Sequence, residues 1–460
     1  MHNGFGDVIR RTSPDTGITD YEYDTAGNLT KMTDARGVVT DYAYDVLYRR
    51  ISKTFPASTA ENVTYSYDDV TGGNKGKGRL TKIEDSSGST AFVYDARGNV
   101  TRQTRVIGTQ TYVIDYAYDA AGNLIRITYP SGRLVEYLRD GEGRVAHVTT
   151  RKTAGAAMTI IAGAITYMPH GPISALTFGN GLQATFSYDA DCRLTGIDTT
   201  DGTSAVQDLD YAYGDAGGGD AGNIRSITDN LAPSLSQSFD YDAFYRLTGA
   251  NGAYGDFDYT YDAVGNRLTR TITAGSTVTE TSTLDTASNR LLSVSDGTTT
   301  RALGYTANGN IATDSAGAGF AYGYNHANRV TTVQENSVTV ASYTYSDLGE
   351  RVVKDLGGGA ITHFLFDLGG ALLAESNAAG VVQREYVHLG GLPLAVIAPG
   401  TSDTPTEFTV DNDSPDAGGT GAWSTETAGA GYEGTNYAER GGGEGLESFV
   451  WTPNIATASP

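Results

Sequence analysis

One cysteine, Cys192, stands in a chain of 460 residues. That excludes a disulfide scaffold and any cysteine-rich metal module. Six histidines are scattered, none three or four residues from another, so none share a helix face as paired metal ligands would. Twelve prolines are too few for a proline-rich disordered or collagen-like chain. Basic residues are scarce: 32 Lys and Arg against 54 Asp and Glu, a net charge of −22. Phosphate backbones and anionic lipids repel such a surface, so no nucleic-acid partner is expected. No apolar run approaches the roughly 20 residues that cross a bilayer, so no membrane insertion is expected. No charged segment followed by an apolar one opens the chain, so no signal peptide is visible.

What is present in excess is glycine and tyrosine. Fifty-nine glycines make about one residue in eight, against an average near ~7%. Thirty tyrosines supply aromatic area that disordered chains lack. Gly, Tyr and Thr together describe many short strands joined by tight turns.

Self-comparison gives the organisation. The block Tyr21-Glu22-Tyr23-Asp24-Thr25-Ala26-Gly27-Asn28-Leu29 returns as Tyr116-Ala117-Tyr118-Asp119-Ala120-Ala121-Gly122-Asn123-Leu124 and as Tyr259-Thr260-Tyr261-Asp262-Ala263-Val264-Gly265-Asn266-Arg267. Other copies carry Arg in place of Asn: Arg49 after Asp45, Arg193 after Asp189, Arg246 after Asp242. Worn copies lie at 137–145, 284–291, 305–311 and 343–352. Asp24 to Asp45 and Asp119 to Asp140 are each 21 residues, and Asp45 to Asp68 is 23.

Each copy fits a β-hairpin. Tyr at i and i+2 share one strand face. The following Asp can accept from turn N–H groups, and Gly supplies the positive φ of a tight turn. Two strands of about six residues and two turns of about four fill the period. Roughly 18 copies predict on the order of 35 strands in an all-β antiparallel ribbon, with very little helix. Twist accumulates across so many strands, so the ribbon is expected to coil into a spiral or partial shell.

The Y-x-Y-D-x-x-G-N-L unit resembles the YD repeats of Rhs proteins, of insecticidal toxin-complex B/C components and of the teneurin shell. The resemblance covers residues 1–399. It implies a strand ribbon wound into a hollow wall. In bacterial members it implies a C-terminal toxin released by aspartyl self-cleavage in a stretch rich in D-x-x-G and N-P. No such stretch follows Leu394, where the composition changes.

Residues 400–406 read as a linker. Residues 407–460 carry Phe408-Thr409-Val410-Asp411-Asn412-Asp413, Trp423, Gly431-Tyr432, Tyr437 and Val450-Trp451. They resemble a golvesin/xanthan-lyase carbohydrate-binding-like β-sandwich. A sandwich usually needs about 100 residues, so the module reads as partial. The first copy lacks its upstream Tyr, so the beginning of the chain also reads as truncated.

The chemistry is thin. Acidic pairs such as Asp68-Asp69 are turn formers in this repeat rather than a general acid and base. Asp411 and Asp413 could offer oxygens to Ca²⁺, but no EF-hand spacing follows, and a solvated turn is the plainer reading. No G-x-S-x-G is present, and the Gly-Gly pairs lack the Lys-Ser/Thr of a phosphate loop. Cys192 takes the Gly place of its turn with no base implied. His170 reads as a turn residue. Gly217-Gly218-Gly219 reads as an extended hairpin tip. Sugar rings stack on aromatic faces, so Trp423, Tyr432 and Tyr437 are the candidate glycan contacts, while Trp451 reads as core.

No cofactor and no catalysis are expected. The leading expectation is an extracellular or cell-surface scaffold, the wall of a shell around a cargo or toxin polypeptide. The alternative is an adhesin that holds cell-surface glycans through residues 407–460.

Overall fold

The computed structural model describes residues 1–214, 222–398 and the backbone of 407–408. Among them lie 36 strands and three short 3-10 turns, with no α-helix. Within each compact unit the strands pair antiparallel with their neighbours in the chain. The expected all-β meander is the observed one. The expected sandwich and the glycine-rich tip at 217–219 lie outside the described residues.

One register irregularity repeats with the sequence. In the first full copy Glu22 pairs with Lys31 but Tyr23 pairs with Leu29. Thr30 is therefore the extra residue of a β-bulge beside the turn. The same shift falls before Tyr44, Tyr94, Tyr118, Tyr188, Tyr213 and Tyr261. A bulge bends its strand and increases local twist. The bulged Thr hydroxyl bonds back across the pair: Thr30 Oγ1 to Glu22 O at 3.1 Å, Thr101 Oγ1 to Val93 O at 3.2 Å. These motif bulges all sit beside the motif turn of their hairpins, so each adds twist at the same place in its copy.

The ribbon divides into two compact units. The first is Met1–Gly132 with Thr281–Arg384; the second is Arg133–Glu280 with the chain from Glu385. Apolar residues from the alternating face of neighbouring hairpins form small clusters. In the first unit Val63, Tyr65 and Ile83 pack with Phe92, and Ile107 and Tyr112 pack with Val352, Leu365 and Ala374. In the second, Ile197, Leu209, Tyr211 and Ile227 pack with Phe186 and Phe239. One hairpin cannot cover its own apolar face, so each hairpin is held by its neighbours.

Candidate functional site: the repeated turn and the seam

The motif residues converge on one turn. The Asp24 carboxylate accepts from the N–H groups of Ala26 and Asn28, each at 2.9 Å, and from Asn28 Nδ2 at 2.9 Å. Gly27 sits at φ +86° and its N–H reaches Asp24 O at 3.1 Å. Asp119 with Asn123 and Asp262 with Asn266 repeat the pattern at 2.8–3.0 Å, with Gly122 at φ +88° and Gly265 at +101°. The Asn amide, joined by the turn N–H groups, holds the Asp24 and Asp262 carboxyls below the ordinary carboxylate range.

The Arg copies build the same turn with a different donor. Arg49 Nε lies 2.6 Å from Asp45 Oδ2, Arg193 Nε 2.7 Å from Asp189 and Arg246 Nε 2.6 Å from Asp242. Each guanidinium then covers a Tyr of the next hairpin: Arg49 over Tyr67 at 4.4 Å, Arg193 over Tyr213 and Arg246 over Tyr261 at 4.7 Å. The residue before these arginines holds a positive φ without being glycine: Tyr48 (+61°), Cys192 (+65°) and Tyr245 (+63°).

The second Tyr of the motif has a job that composition and spacing did not reveal. Its hydroxyl donates to a backbone carbonyl of the preceding hairpin, at the residue that follows that hairpin's turn. Tyr23 reaches Val8 O at 3.0 Å, Tyr44 reaches Leu29 O at 2.9 Å, Tyr118 reaches Val100 O at 3.0 Å and Tyr261 reaches Leu247 O at 2.7 Å. The aromatic body lies on the sheet while the polar tip latches adjacent periods together.

A second set of contacts runs side to side. In the first unit, the connecting turns of early hairpins meet the motif turns of late ones. Asp15 accepts from Asn289 N at 2.6 Å, and its carbonyl accepts from Arg290 Nε at 2.9 Å. Asp34 accepts from Asn308 Nδ2 at 2.7 Å. Glu61 accepts from His326 N at 2.9 Å and contacts its Nδ1 at 2.7 Å. Asp85 accepts from Asp347 N at 2.9 Å, while Lys53 Nζ and the Tyr65 hydroxyl meet the Asp347 carboxylate. Deeper in, the Tyr112 hydroxyl bonds His363 Nδ1 at 2.7 Å and Ser376 Oγ at 2.6 Å.

The docked turns differ in charge: the one opposite Asp15 still begins with Asp285, while the other three begin with an uncharged residue. Those three are Thr306, Asn325 and Ser346. Each still accepts the turn N–H, from Asn310 at 3.2 Å, Arg329 at 2.8 Å and Glu350 at 3.3 Å. What has been removed is the negative charge, at turns that face Asp34, Glu61 and Asp85. Like charges across such a contact repel. The second unit has its own fastening. Arg133 Nε meets Glu385 Oε2 at 2.8 Å and the Tyr137 hydroxyl donates to His388 O at 3.1 Å.

The other candidates stay apart. Asp68 is bound by Arg49 and by Gly78 N, and Asp69 by Thr71 N. Cys192 is exposed in its turn. Gly171 N closes a turn onto Met168 O around His170. No group of three or more His, Cys, Asp or Glu among the described residues could hold a metal. Among them, no helix is long and apolar enough to cross a membrane. Trp423, Tyr432, Tyr437, Asp411 and Asp413 lie outside the described residues.

These features define a class: an antiparallel repeat wall in which motif side chains bind the sheet to itself. The RHS Repeat family model matches residues 2–39, 23–60, 76–110 and 118–157. The chain is 29% identical over 177 residues to the double-stranded DNA deaminase toxin A of Burkholderia cenocepacia, covering 38% of this chain and 11% of that protein. It is 26% identical over 188 residues to the toxin subunit YenC2 of Yersinia entomophaga, covering 37% of this chain and 19% of that one. Two solved structures share the fold over 89% of this chain at 19% identity. They are a TcdB2–TccC3–Cdc42 complex (TM-score 0.71) and a Photorhabdus luminescens Tc holotoxin pore (TM-score 0.72). The chain spans 23% of each solved chain, and a tenth to a fifth of each curated relative's length.

Proposed function

We propose that this chain is a non-enzymatic wall segment of an extracellular or cell-surface YD-repeat shell that encloses or displays a polypeptide cargo of the toxin class. In this reading residues 1–399 form the wall, 400–406 a linker and 407–460 a golvesin-like module. The observation that carries it is where the repeated polar groups are spent. The Asp, Asn and Arg of the motif and its second Tyr bond the sheet to itself, turn to turn and hairpin to hairpin. Such a surface is built for rigidity and closure rather than for turnover. The likeness to parts of toxin proteins supports a toxin-class cargo.

The test is to purify the protein from its source under mild conditions and to treat it with protease. A polypeptide that co-purifies and resists cleavage until denaturant opens the wall is the expected result. A bound polypeptide that is cleaved as fast as its free form overturns enclosure.

A second reading rests on the sequence of residues 407–460. There, Trp423, Tyr432 and Tyr437 would stack on sugar rings of a cell-surface glycan, with modest affinity because such platforms are small and wet. A glycan array on the full chain, beside Trp423→Ala and Tyr432→Ala, tests it. Unchanged binding in both variants overturns it.

A further inference from the structure

We propose that the first hairpins of the chain carry a binding site for a carboxylated sugar, independent of residues 407–460. A cavity of about 400 Å³ lies in the first unit, between the face of these hairpins and the docked turns around Asn308 and His326. That size falls within the ordinary range of small-molecule sites.

Its floor holds polar groups that the fold leaves unspent. Thr40 is 1% exposed and its Oγ1 has no partner. A buried hydroxyl left unbonded is costly and calls for a reason. Thr19 and Tyr21 stand on the same sheet face, as Tyr42 does beyond Thr40. Tyr21 and Tyr42 are the first tyrosines of their motifs, and neither hydroxyl is latched among the described residues. Those of Tyr23 and Tyr44 are latched. The face thus presents a row of hydroxyls beside two aromatic rings, the pairing that suits a sugar's hydroxyls and its apolar ring face.

The charge is as specific. Lys53 is held by Asp347, His326 by Glu61, and Asp34 by Arg36 and Asn308. Arg11 also lines the cavity and has no carboxylate partner among the described residues, although its neighbour Arg10 is paired with Asp20. In a chain with 22 more acids than bases, an uncommitted guanidinium over a floor of hydroxyls is a place for a carboxylate. A ring bearing both functions, as in a hexuronic acid, fits the set.

The test is calorimetry and ligand-observed NMR on the full chain with D-glucuronate, with glucose and acetate as controls. Glucuronate is expected to bind at least about tenfold more tightly than either control, the scale of one charge-assisted contact. Arg11→Gln is expected to remove that preference while leaving weak glucose binding, and the protein stays folded because Arg11 is exposed. Tyr42→Phe and Thr40→Val should each weaken glucuronate severalfold, and Thr40→Val should raise the melting temperature of the free protein. Equal binding of all three ligands, no glucuronate binding, or glucuronate binding indifferent to Arg11→Gln overturns the proposal.

Discussion

Arg133 and Glu385, 252 residues apart, meet at 2.8 Å with both side chains less than a tenth exposed. Arg133 Nη1 also approaches Thr150 Oγ1 at 3.4 Å, which leaves the guanidinium facing protein on more than one side. The pair ties the first strands of the second unit to its last hairpin.

Breaking one partner of a buried pair strands the other charge. Arg133→Met or Glu385→Gln is therefore expected to cost about 3–5 kcal/mol. Replacing both together with apolar residues of similar volume should cost much less, since no charge is then left uncompensated. Denaturant unfolding of the two single variants and the double variant checks this. Single variants within about 0.5 kcal/mol of the parent would mean that the pair is solvated.

The tyrosine latch gives a cleaner test, because a single oxygen is removed. Tyr118→Phe should cost about 1 kcal/mol, the net worth of one hydrogen bond, while the ring keeps its packing. Hydrogen exchange should quicken in the hairpins on either side of residues 100–118 and nowhere distant, since repeat architectures couple neighbours. Uniform loss of protection would contradict that.

The Gly and non-Gly turns predict opposite signs. Gly122 holds φ +88° in open space, so Gly122→Ala should destabilise by about 1 kcal/mol through backbone strain alone. Tyr245 holds φ +63° with most of its ring exposed. Tyr245→Gly should gain up to about 1 kcal/mol by relieving that strain. Thermal melting of both variants decides it.

Much of this fold was legible in the sequence because its period is short. Tyr-x-Tyr-Asp and Gly-Asn name the strand face, the acceptor and the positive φ of each turn, and the structure puts Gly27, Gly98, Gly122 and Gly265 there. The bulge and the Tyr latch recur with the motif, but both are relations across strands that a linear reading does not display. The seam was invisible for a further reason. Asp34 meets Asn308 across 274 residues of sequence, a contact that no motif names. Part of its trace was in plain sight as the Thr and Ser that replace Asp at 306 and 346, in copies that read as worn.

His363 gives a pH dependence with a definite window. Burial lowers its pKa below the ordinary 6.5, and its ring faces the Tyr112 hydroxyl, with Ser376 and Val353 on the flanking strands. The unfolded chain therefore takes up a proton at a pH where the folded one does not. The contribution is complete above about pH 6.5 and is lost as pH falls through the depressed folded value. The melting temperature should fall between pH 7.5 and 5.5, and His363→Gln should flatten that slope. An unchanged slope would assign the dependence to another group.

The seam makes a prediction about charge. Ser346 is 5% exposed and bonds Glu350 Oε2 at 3.1 Å, while the next residue's N–H donates to Asp85. Burial already pushes the Glu350 carboxyl above its ordinary range, with Arg105 opposing and Asp85 and Asp367 adding to the rise. Ser346→Asp restores the motif residue of the free turns but buries a further carboxylate in this group. A loss of about 3 kcal/mol or more is expected, the scale of an uncompensated buried charge. Ser346→Asn keeps the acceptor and the size without the charge and should cost far less. The sign with pH separates charge from size. A carboxyl that the fold forces upward in pKa is destabilising when ionised, so the stability of Ser346→Asp should recover as pH falls from 7 towards 5, while that of Ser346→Asn should not. At the free turn, where the Asp119 carboxylate is bonded by Asn123, Asp119→Ser should instead destabilise at neutral pH. A Ser346→Asp protein as stable as its parent at pH 7 would show that Ser346 is drift and not an adaptation to the acidic turn it faces.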